Sequence, residues 1–443
     1  MILNIVFPFA TVLSAYGYNF DIYIGTEGGI ARYSTSSGSV EWKYPFDGRV
    51  EHVAFTNGNI VFYSKGKLYF VSGGSDPLSP PFEIASVENP KRIGITGDGL
   101  IVLDYGGRYR VMDLGGMERN IQPEGITWGS SWRDNSLGDK PGIRNLPLYS
   151  PAIGKVRALF LLSFEGRWYV GTDGMGMLVM NVGSLFPYDT IMEGTLSGEY
   201  RDMQLSGRGL LVAGNRGIDI LGKDNIRSIA ISGCRDGAHF VFQKDGHLYA
   251  AGCGRIYRVY DDGMFLDITG NIGYERIKGA GKRVFIFYRG ELYEFRGRKI
   301  SRVLDRETYD VFHISGHVYA ITDAGIVDVD TREELPLTNK SWLDRFTRAD
   351  SDGRTAAICT RFGVLLYDGS WKRFEHSMGR VKDCDISGKF VTGTSEDGIW
   401  ILNTDRGTWD APYQRIKGPR GVEMSGDTIY IMAPKAIFIS TIP

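Results

Sequence analysis

The sequence predicts an all-β fold, a β-propeller of eleven four-stranded units of about 35–40 residues, or twelve if one copy is degenerate. Three observations predict it. A glycine turn followed by two short apolar strands recurs along most of the 443 residues. Glycine is abundant, with 59 residues, about twice the usual share of ~7%. No long segment shows the 3.6-residue periodicity and capping residues of an amphipathic helix.

The repeated motif consists of a glycine turn, an apolar strand, a polar turn and a second, alternating strand. Two clear copies are GHVYAITDAGIVDVD at 316–330 and GKFVTGTSEDGIWILN at 388–403. The leading residues of the eleven copies lie 35–41 residues apart, except for one interval of 69 residues between Gly97 and Gly166. That interval predicts either an insertion or a twelfth, degenerate unit.

Each unit is expected to form a small antiparallel sheet whose faces pack on the neighbouring sheets around an axis. The alternation in the second strand, as in Ile326–Asp330, is typical of strands with two different faces. Single propellers usually hold about four to eight such sheets, so the sequence favours two circles of sheets over one. The predicted domains are a set of N-terminal units at 18–198 and a seven-unit propeller at 199–443.

Short motifs carry a family resemblance. YIGTEGGIARYSTSSGSVEWKYPFDGRV at 23–50 resembles a repeat of the quinoprotein-like (PQQ-like) propellers, with Gly38 followed by Trp42 and Ser37 in place of that family's threonine. YVGTDGMGMLVMN at 169–181 and VTGTSEDGIWILN at 391–403 resemble blades of bacterial two-component-regulator propellers. The resemblance implies the fold and a binding role. No cofactor-ligating set matches, so we expect no quinone and no other cofactor.

Residues 1–17 have two interpretations. Their apolar run at 2–15 is shorter than the ~20 residues of a membrane-spanning helix, so no transmembrane segment is predicted. The run could be the core of a signal peptide cleaved after Ala15-Tyr16-Gly17, which predicts a periplasmic or extracellular protein. Alternatively, Ile2–Phe7 supplies the fourth strand of the last unit and closes its circle, which leaves a cytoplasmic location open.

The four cysteines are Cys234, Cys253, Cys359 and Cys384, and none forms a C-x-x-C pair. This spacing indicates neither a zinc site nor a thioredoxin-like motif. We expect four buried thiols, since cysteine commonly packs as a small apolar residue. The alternative, for an exported protein, is a pair of disulfides, Cys234–Cys253 and Cys359–Cys384.

The segment 114–157 interrupts the repeat and is rich in turn-forming residues. A loop of this length is commonly functional, and Trp, Tyr and Arg dominate binding hot spots. The residues predicted to bind a ligand or partner are therefore Trp128, Trp132, Arg133, Asp134, Arg144 and Tyr149. Equally, the segment could be a degenerate unit whose aromatic residues belong to the core.

No catalytic motif and no metal-ligand spacing is present, so no catalytic or metal-binding residue is predicted. The net charge of −1 argues against specific nucleic-acid binding, although 276–302 is locally basic. We therefore expect a non-enzymatic binding or scaffold module that holds a protein or carbohydrate partner. The alternative is a hydrolase or lyase acting on a saccharide or small molecule in the central channel. Clustered channel carboxylates with raised pKa would favour that alternative.

Overall fold

A computed structural model describes residues 4–6, 8–134, 137, 140–145, 148–150, 154–182, 187–191, 194–222, 225–231, 234–260, 264–269, 272–337, 339–411, 416 and 418–442. The chain divides into two compact units, Ile5–Gly198 and Glu199–Pro443, the second with Met1–Asn4. Almost all regular structure is β-strand, arranged in antiparallel sheets whose strands mostly follow one another in chain order. The predicted all-β propeller fold is confirmed. Among the described residues, no helix has the length and apolar character needed to cross a bilayer.

The first strand of the chain, β1 (Asn4–Val6), belongs to the last sheet described below. The described part of the Ile5–Gly198 unit contains five sheets. The first sheet consists of β2 (Val12–Tyr18), β3 (Asp21–Thr26), β4 (Gly29–Ser34) and β5 (Ser39–Pro45), and the second of β6 (His52–Thr56), β7 (Asn59–Ser64), β8 (Lys67–Ser72) and β9 (Phe82–Ser86). The third consists of β10 (Arg92–Ile95), β11 (Ile101–Asp104), β12 (Tyr109–Met112) and β13 (Thr127–Trp128), and the next strand, β14 (Ser130–Ser131), joins the first sheet. The fourth is the pair β15 (Leu148–Ser150) and β16 (Gly154–Val156), and the fifth consists of β17 (Ala158–Phe164), β18 (Arg167–Thr172), β19 (Met177–Asn181) and β20 (Pro187–Ile191). A short helix, α1 (Pro141–Arg144), precedes β15.

The described residues of the Glu199–Pro443 unit form seven sheets, and β1 completes the last of them to four strands. The first sheet consists of β21 (Tyr200–Ser206), β22 (Gly209–Gly214), β23 (Gly217–Leu221) and β24 (Ile226–Ala230), the second of β25 (Phe240–Lys244), β26 (His247–Gly252), β27 (Arg255–Val259) and β28 (Phe265–Asp267), and the third of β29 (Arg276–Ala280), β30 (Arg283–Tyr288), β31 (Glu291–Arg296) and β32 (Lys299–Leu304). The fourth sheet consists of β33 (Thr308–Ile314), β34 (His317–Thr322), β35 (Gly325–Asp328) and β36 (Glu334–Leu335), and the fifth of β37 (Arg348–Ser351), β38 (Ala356–Thr360), β39 (Gly363–Tyr367) and β40 (Trp371–Glu375). The sixth consists of β41 (Val381–Ser387), β42 (Phe390–Ser395), β43 (Gly398–Asn403) and β44 (Thr408–Asp410), and the seventh of β45 (Gly421–Ser425), β46 (Thr428–Ala433) and β47 (Ala436–Thr441), with β1 next to β47. A 3₁₀ turn at Lys340–Trp342 precedes β37.

Tight turns account for much of the glycine. In the β6–β7 hairpin, Asn57 and Gly58 both have positive φ, at 49° and 75°. The β33–β34 hairpin repeats this with Ser315 at 52° and Gly316 at 89°. Two successive residues at positive φ define the hairpin turn whose twist matches the flanking strands, and glycine adopts that conformation at little steric cost.

The seven sheets of the Glu199–Pro443 unit surround an axis. The first strand of each sheet contacts the first strand of the next, from β21 through β25, β29, β33, β37 and β41 to β45, and β45 contacts β21. We call these seven the hub strands. Apolar side chains fill the space between successive sheets; Phe285, Leu292 and Val318, for example, are fully or almost fully buried in one such layer. Each sheet buries its neighbour's apolar face, as in a propeller.

In the Ile5–Gly198 unit, part of the irregular segment lies at the centre. Thr127 and Trp128 pair with β10, and Ser130 and Ser131 pair with β2. A Cβ atom on Gly129 would meet carbonyl oxygens from β2, the end of β6 and β10 at 2.9–3.4 Å. Residues 127–131 therefore occupy the space between the first strands of three sheets, where glycine permits the close approach.

The rest of the irregular segment contributes to the core. Leu137, Ile143, Leu148 and Val156 are buried with apolar residues of the β17–β20 sheet. The segment thus shows the packing expected of a degenerate unit, and its aromatic residues are distributed between the centre and the surface.

Both cysteine pairs form disulfides, so the expectation of four free thiols is wrong. Cys234 is bonded to Cys253 and Cys359 to Cys384, with Cα–Cα distances of 5.5 and 6.0 Å. Cys359 lies on β38 and Cys384 on β41, so the second bond joins two successive sheets. The thiol expectation failed because residues 25 apart in sequence are adjacent where neighbouring sheets pack face to face.

Candidate binding sites

Trp128 and Trp132, both predicted to bind a ligand, lie in different surroundings. Trp128 is half-buried beside the β10–β12 sheet, where the Arg92 guanidinium lies 4.6 Å from its ring centroid and Tyr109 packs at 6.2 Å. Trp132 is 36% exposed. Its backbone N–H donates to the Leu13 carbonyl at 2.9 Å, which fixes the tryptophan beside the first strand of a sheet.

Arg133 and Asp134 hold the Trp132 turn in place. Arg133 forms a bidentate ion pair with Glu51, through bonds of 3.0–3.2 Å, and its guanidinium lies 4.7 Å from the Trp132 ring centroid. A second guanidinium, that of Arg49, lies 5.6 Å from the same ring. The Asp134 carboxylate accepts the Ser131 N–H at 2.6 Å. We call Arg49, Glu51, Trp132, Arg133 and Asp134 the Trp132 platform.

The other two predicted residues do not join this platform in the described part of the structure. Arg144 is exposed at the end of α1, and among the described residues no hydrogen bond or ion pair connects it to Trp132 or Arg133. Tyr149 lies on β15, where its backbone pairs with Lys155, and its side chain is outside the described residues. Three of the six predicted residues therefore come together, namely Trp132, Arg133 and Asp134.

A second candidate site, which the sequence analysis missed, is a cavity of about 230 Å³ on the axis of the Glu199–Pro443 unit. We call it the axial cavity. Its wall is formed mostly by hub-strand residues, and ten of the lining residues are charged: Arg201, Asp202, Arg276, Lys278, Asp350, Lys382, Asp383, Asp385, Arg420 and Glu423. A further cavity of about 240 Å³ shares Gly279 and Asp350 with it. The axis of this unit is thus polar, not apolar.

The carboxylates have a structural role that explains their position. Each hub strand is the edge of its sheet, so its inward N–H groups have no partner strand. Side chains of the preceding sheet accept these N–H groups. The pairs are Asp202 with Val241 at 3.0 Å, Gln204 with Gln243 at 3.2 Å, Asp310 with Ala349 at 2.8 Å, Asp383 with Val422 at 3.0 Å, and Asp385 with Met424. Glu423 accepts the Leu205 N–H at 3.2 Å and joins the seventh sheet to the first.

Basic residues satisfy the carbonyl groups in the same way, one sheet to the next. The donors and acceptors are Arg201 with Asp236 O at 2.7 Å, Arg276 with Tyr309 O at 3.5 Å, Arg348 with Lys382 O at 3.1 Å, Lys382 with Pro419 O at 3.3 Å, and Arg420 with Tyr200 O at 2.7 Å. Carboxylates thus accept the N–H groups, and cations donate to the carbonyl groups, that a neighbouring strand would pair with in the interior of a sheet. A signal for this was present in the sequence, since an acidic residue recurs near the start of several units, at Asp202, Asp310, Asp383 and Glu423.

Burial and mutual proximity alter the protonation of this cluster. Burial raises the pKa of Asp202 to about 7, and the charge of Asp383 adds to the increase. Burial, together with the nearby Asp350 carboxylate, raises the pKa of Asp385 and of Glu423 well above the usual range. Asp310 differs: burial alone would raise its pKa, but the charges of Arg276 and Lys278 outweigh that effect and lower it.

The basic stretch at 276–302 is extensively paired with acidic residues. Arg276 binds Asp310 at 3.0 Å, and Arg302 binds Glu291 at 3.1 Å. Arg283 contacts Glu294 at 2.9 Å. These three arginines are therefore paired with acidic residues within the fold.

Comparisons with known proteins give limited information. No family model matches the sequence, and no curated protein shows detectable sequence similarity. Among solved structures, the chain is similar to the extracellular domain of BT4673 from B. thetaiotaomicron, named as a one-component system, with a TM-score of 0.45 and 14% identity over 97% of this chain and 63% of that chain. The extracellular domain of the hybrid two-component system BT3049 from the same organism gives a TM-score of 0.44 and 13% identity over 95% and 60%. The Neurospora crassa Pan2 WD40 domain gives 0.41 and 11% over 54% and 88%. This chain therefore spans less than two thirds of the length of the first two, and the fold assignment depends on the sheets and contacts described above.

Proposed function

We propose that the chain is an exported, non-enzymatic binding module that holds a protein or carbohydrate partner through the Trp132 platform. The observation that carries this proposal is an exposed tryptophan held rigidly by its flanking residues. Arg133 and its bidentate partner Glu51 fix one side, and the Trp132 N–H bond to Leu13 fixes the backbone. An aromatic surface that is ordered before binding loses little conformational entropy when a partner covers it.

The chemistry of the platform suits sugars and proteins alike. The exposed Trp132 ring can stack on the apolar face of a sugar ring or enter a pocket of a protein, and Arg49 and Arg133 lie beside it. Tryptophan and arginine are the residues most enriched in binding hot spots. The two disulfides support export, because such bonds persist mainly in oxidising compartments.

Binding can be tested with the labelled chain on an array of soluble glycans and in affinity capture of extracellular proteins. We expect Trp132→Ala to weaken binding of the selected partner by about 30-fold or more, as for a hot-spot residue. The matched control is Phe82→Ala, because Phe82 is 65% exposed in the same unit and, among the described aromatic residues, stacks on Phe70 alone. An equal loss of affinity in Trp132→Ala and Phe82→Ala, or chemical conversion of the bound glycan, would contradict the proposal.

A second candidate function is catalysis in the axial cavity. The observation favouring it is that Asp202, Asp383, Asp385 and Glu423 all have raised pKa values around one cavity, as general acids often do. Their bonds to the next sheet supply a structural reason for the same arrangement. If the cavity is catalytic, Glu423→Gln should abolish turnover of a saccharide substrate while its side-chain oxygen still accepts the Leu205 N–H. Unchanged turnover in that variant would exclude Glu423 as a catalytic residue.

A further inference from the structure

Three cations on consecutive sheets line one side of the axial cavity. Lys382 is on β41 and Arg201 on β21, and Arg420 precedes β45, which lies between them in the circle. Each is positioned by donating to a backbone carbonyl of the following sheet, at 3.3 Å for Lys382 and 2.7 Å for each arginine. These cations are therefore held in place without losing their charge.

Donors remain on these side chains. An ammonium group has three N–H donors and a guanidinium has five. In the described structure Lys382 uses one donor for Pro419 O, and Arg201 uses one for Asp236 O. Arg420 contacts Tyr200 O and is also paired with Glu199 at 2.9 Å. Lys382 and Arg201 in particular can donate further bonds to an oxyanion.

The cavity lining also includes apolar residues. Phe240 and Phe242 belong to β25, the hub strand next to β21, and Met203 and Met432 belong to the same sheets as the cations. Among the described residues of β25, none that lines the cavity is charged. At about 230 Å³ the space is smaller than the ~300–1,000 Å³ of drug-sized pockets, which limits it to a small molecule.

Acidic and basic groups both surround the cavity. The groups that face the site or contact its lining residues are Glu199 before β21, Arg201 and Asp202 on β21, Arg276 and Lys278 on β29, Asp310 on β33, Arg348 and Asp350 on β37, Lys382, Asp383 and Asp385 on β41, and Arg420 and Glu423 at β45. The carboxylates of Asp202, Asp383, Asp385 and Glu423 already accept backbone N–H groups of the following sheet. Burial also raises the pKa of all four, which favours their neutral forms. These four groups therefore oppose an anionic ligand less than free carboxylates would.

We propose that the axial cavity binds a small organic oxyanion, a carboxylate or a phosphate ester, through Lys382, Arg420 and Arg201. Charge-assisted bonds to the cations supply the affinity, and the cavity size excludes polymers. This site is independent of the Trp132 platform and does not require the proposed function to be correct.

Binding should weaken as the pH rises. The pKa of Asp202 is about 7, so this carboxyl becomes an anion between pH 6 and pH 8 and opposes the ligand's charge. A site built on a neutral hydrogen-bonding pocket would show no such trend.

The test uses the full chain in low-salt buffer with isothermal titration calorimetry, with succinate, citrate, glycerol phosphate and neutral glycerol as probes. We expect at least one oxyanion to bind and glycerol not to bind. The affinity for succinate, whose own charge changes least over this range, should fall about tenfold or more between pH 6 and pH 8. Preference for citrate or for glycerol phosphate distinguishes a carboxylate from a phosphate ligand. Absence of oxyanion binding, or equal binding of glycerol, would overturn the proposal.

Two substitutions at one position separate charge from structure. Lys382→Gln keeps a donor for Pro419 O but removes the charge, and should weaken oxyanion binding about tenfold or more. Lys382→Arg keeps the charge and should bind within a fewfold of the unmodified chain. The melting temperature of each variant without ligand checks folding. Binding unaffected by Lys382→Gln in the folded variant would refute the assignment.

Discussion

The Asp202 carboxyl offers the sharpest test of the hub. Asp202 accepts the Val241 N–H at 3.0 Å, and burial raises its pKa from 3.8 to about 7. Replacement by asparagine keeps an oxygen that can accept the same N–H but removes the titrating proton. The variant therefore separates the hydrogen bond from the charge.

The direction of the pH dependence of stability follows from which state, folded or unfolded, holds the proton. Between pH 4 and pH 7 the folded chain holds a proton at Asp202 that the unfolded chain has released, so the free energy of unfolding of the unmodified chain falls as the pH rises through that range. One pKa unit corresponds to about 1.36 kcal/mol, so the full shift amounts to about 4 kcal/mol at most. In Asp202→Asn the free energy of unfolding does not decrease for this reason, because asparagine has no proton to release. Its stability relative to the unmodified chain should rise by up to about 4 kcal/mol between pH 4 and pH 8.

Hydrogen exchange of peptides covering β25 measures this effect within the Glu199–Pro443 unit. Comparison of the two chains at each pH cancels the intrinsic pH dependence of exchange. The protection of Asp202→Asn relative to the unmodified chain should increase by up to about a thousandfold over the range. Gln204→Glu is the reverse control, since Gln204 binds the Gln243 N–H at 3.2 Å without charge, and it should lose stability as the pH rises. If the protection of Asp202→Asn relative to the unmodified chain does not change with pH, the reasoning is refuted.

Two further predictions concern covalent and steric constraints. Removing the Cys359–Cys384 bond with paired serine substitutions should lower the free energy of unfolding by about 3 kcal/mol, measured by urea titration under oxidising conditions, because the bond closes a loop of 25 residues between two sheets. Gly129→Ala should lower the melting temperature, since its methyl group would meet the Val53 carbonyl at 2.9 Å, by an amount equivalent to about 1–3 kcal/mol. Gly97→Ala, where no atom lies within 4 Å, should have little effect, and an equal loss there would contradict the steric argument.

The repeat itself could be recognised from local chemistry. Hairpin turns require residues that tolerate positive φ, and strands between two apolar layers require alternation or continuous apolar residues. Both are short-range requirements, so Asn57–Gly58 and the strand Gly325–Asp328 reveal them directly in the sequence. Trp132 and Arg133 were also identifiable, because their residue types are common in binding surfaces.

The recurrence of an acidic residue near the start of several units was a sequence signal for the axial cavity, but it did not show that these side chains meet. Taken singly, Asp202 and Glu423 resemble ordinary polar residues of a strand. Their hydrogen-bond partners Val241 and Leu205 are 39 and 218 residues away in the sequence. Only the circular arrangement of sheets leaves the inward edge of each hub strand without a partner and so creates the need for these side chains. The cysteine pairing was misjudged for the same reason, since it depends on which sheets are adjacent.

Local residue chemistry was sufficient to specify all-β sheets, glycine hairpins and the break in the repeat at 114–157, because turn geometry and strand alternation act over a few residues. Closing seven sheets into a circle decided the rest. It placed carboxylates and cations of distant segments around one axis, where burial changes the protonation of the carboxylates. In the Ile5–Gly198 unit, tertiary structure likewise placed residues 127–131 between the first strands of three sheets. Such contacts arise from three-dimensional closure, which no short stretch of sequence encodes.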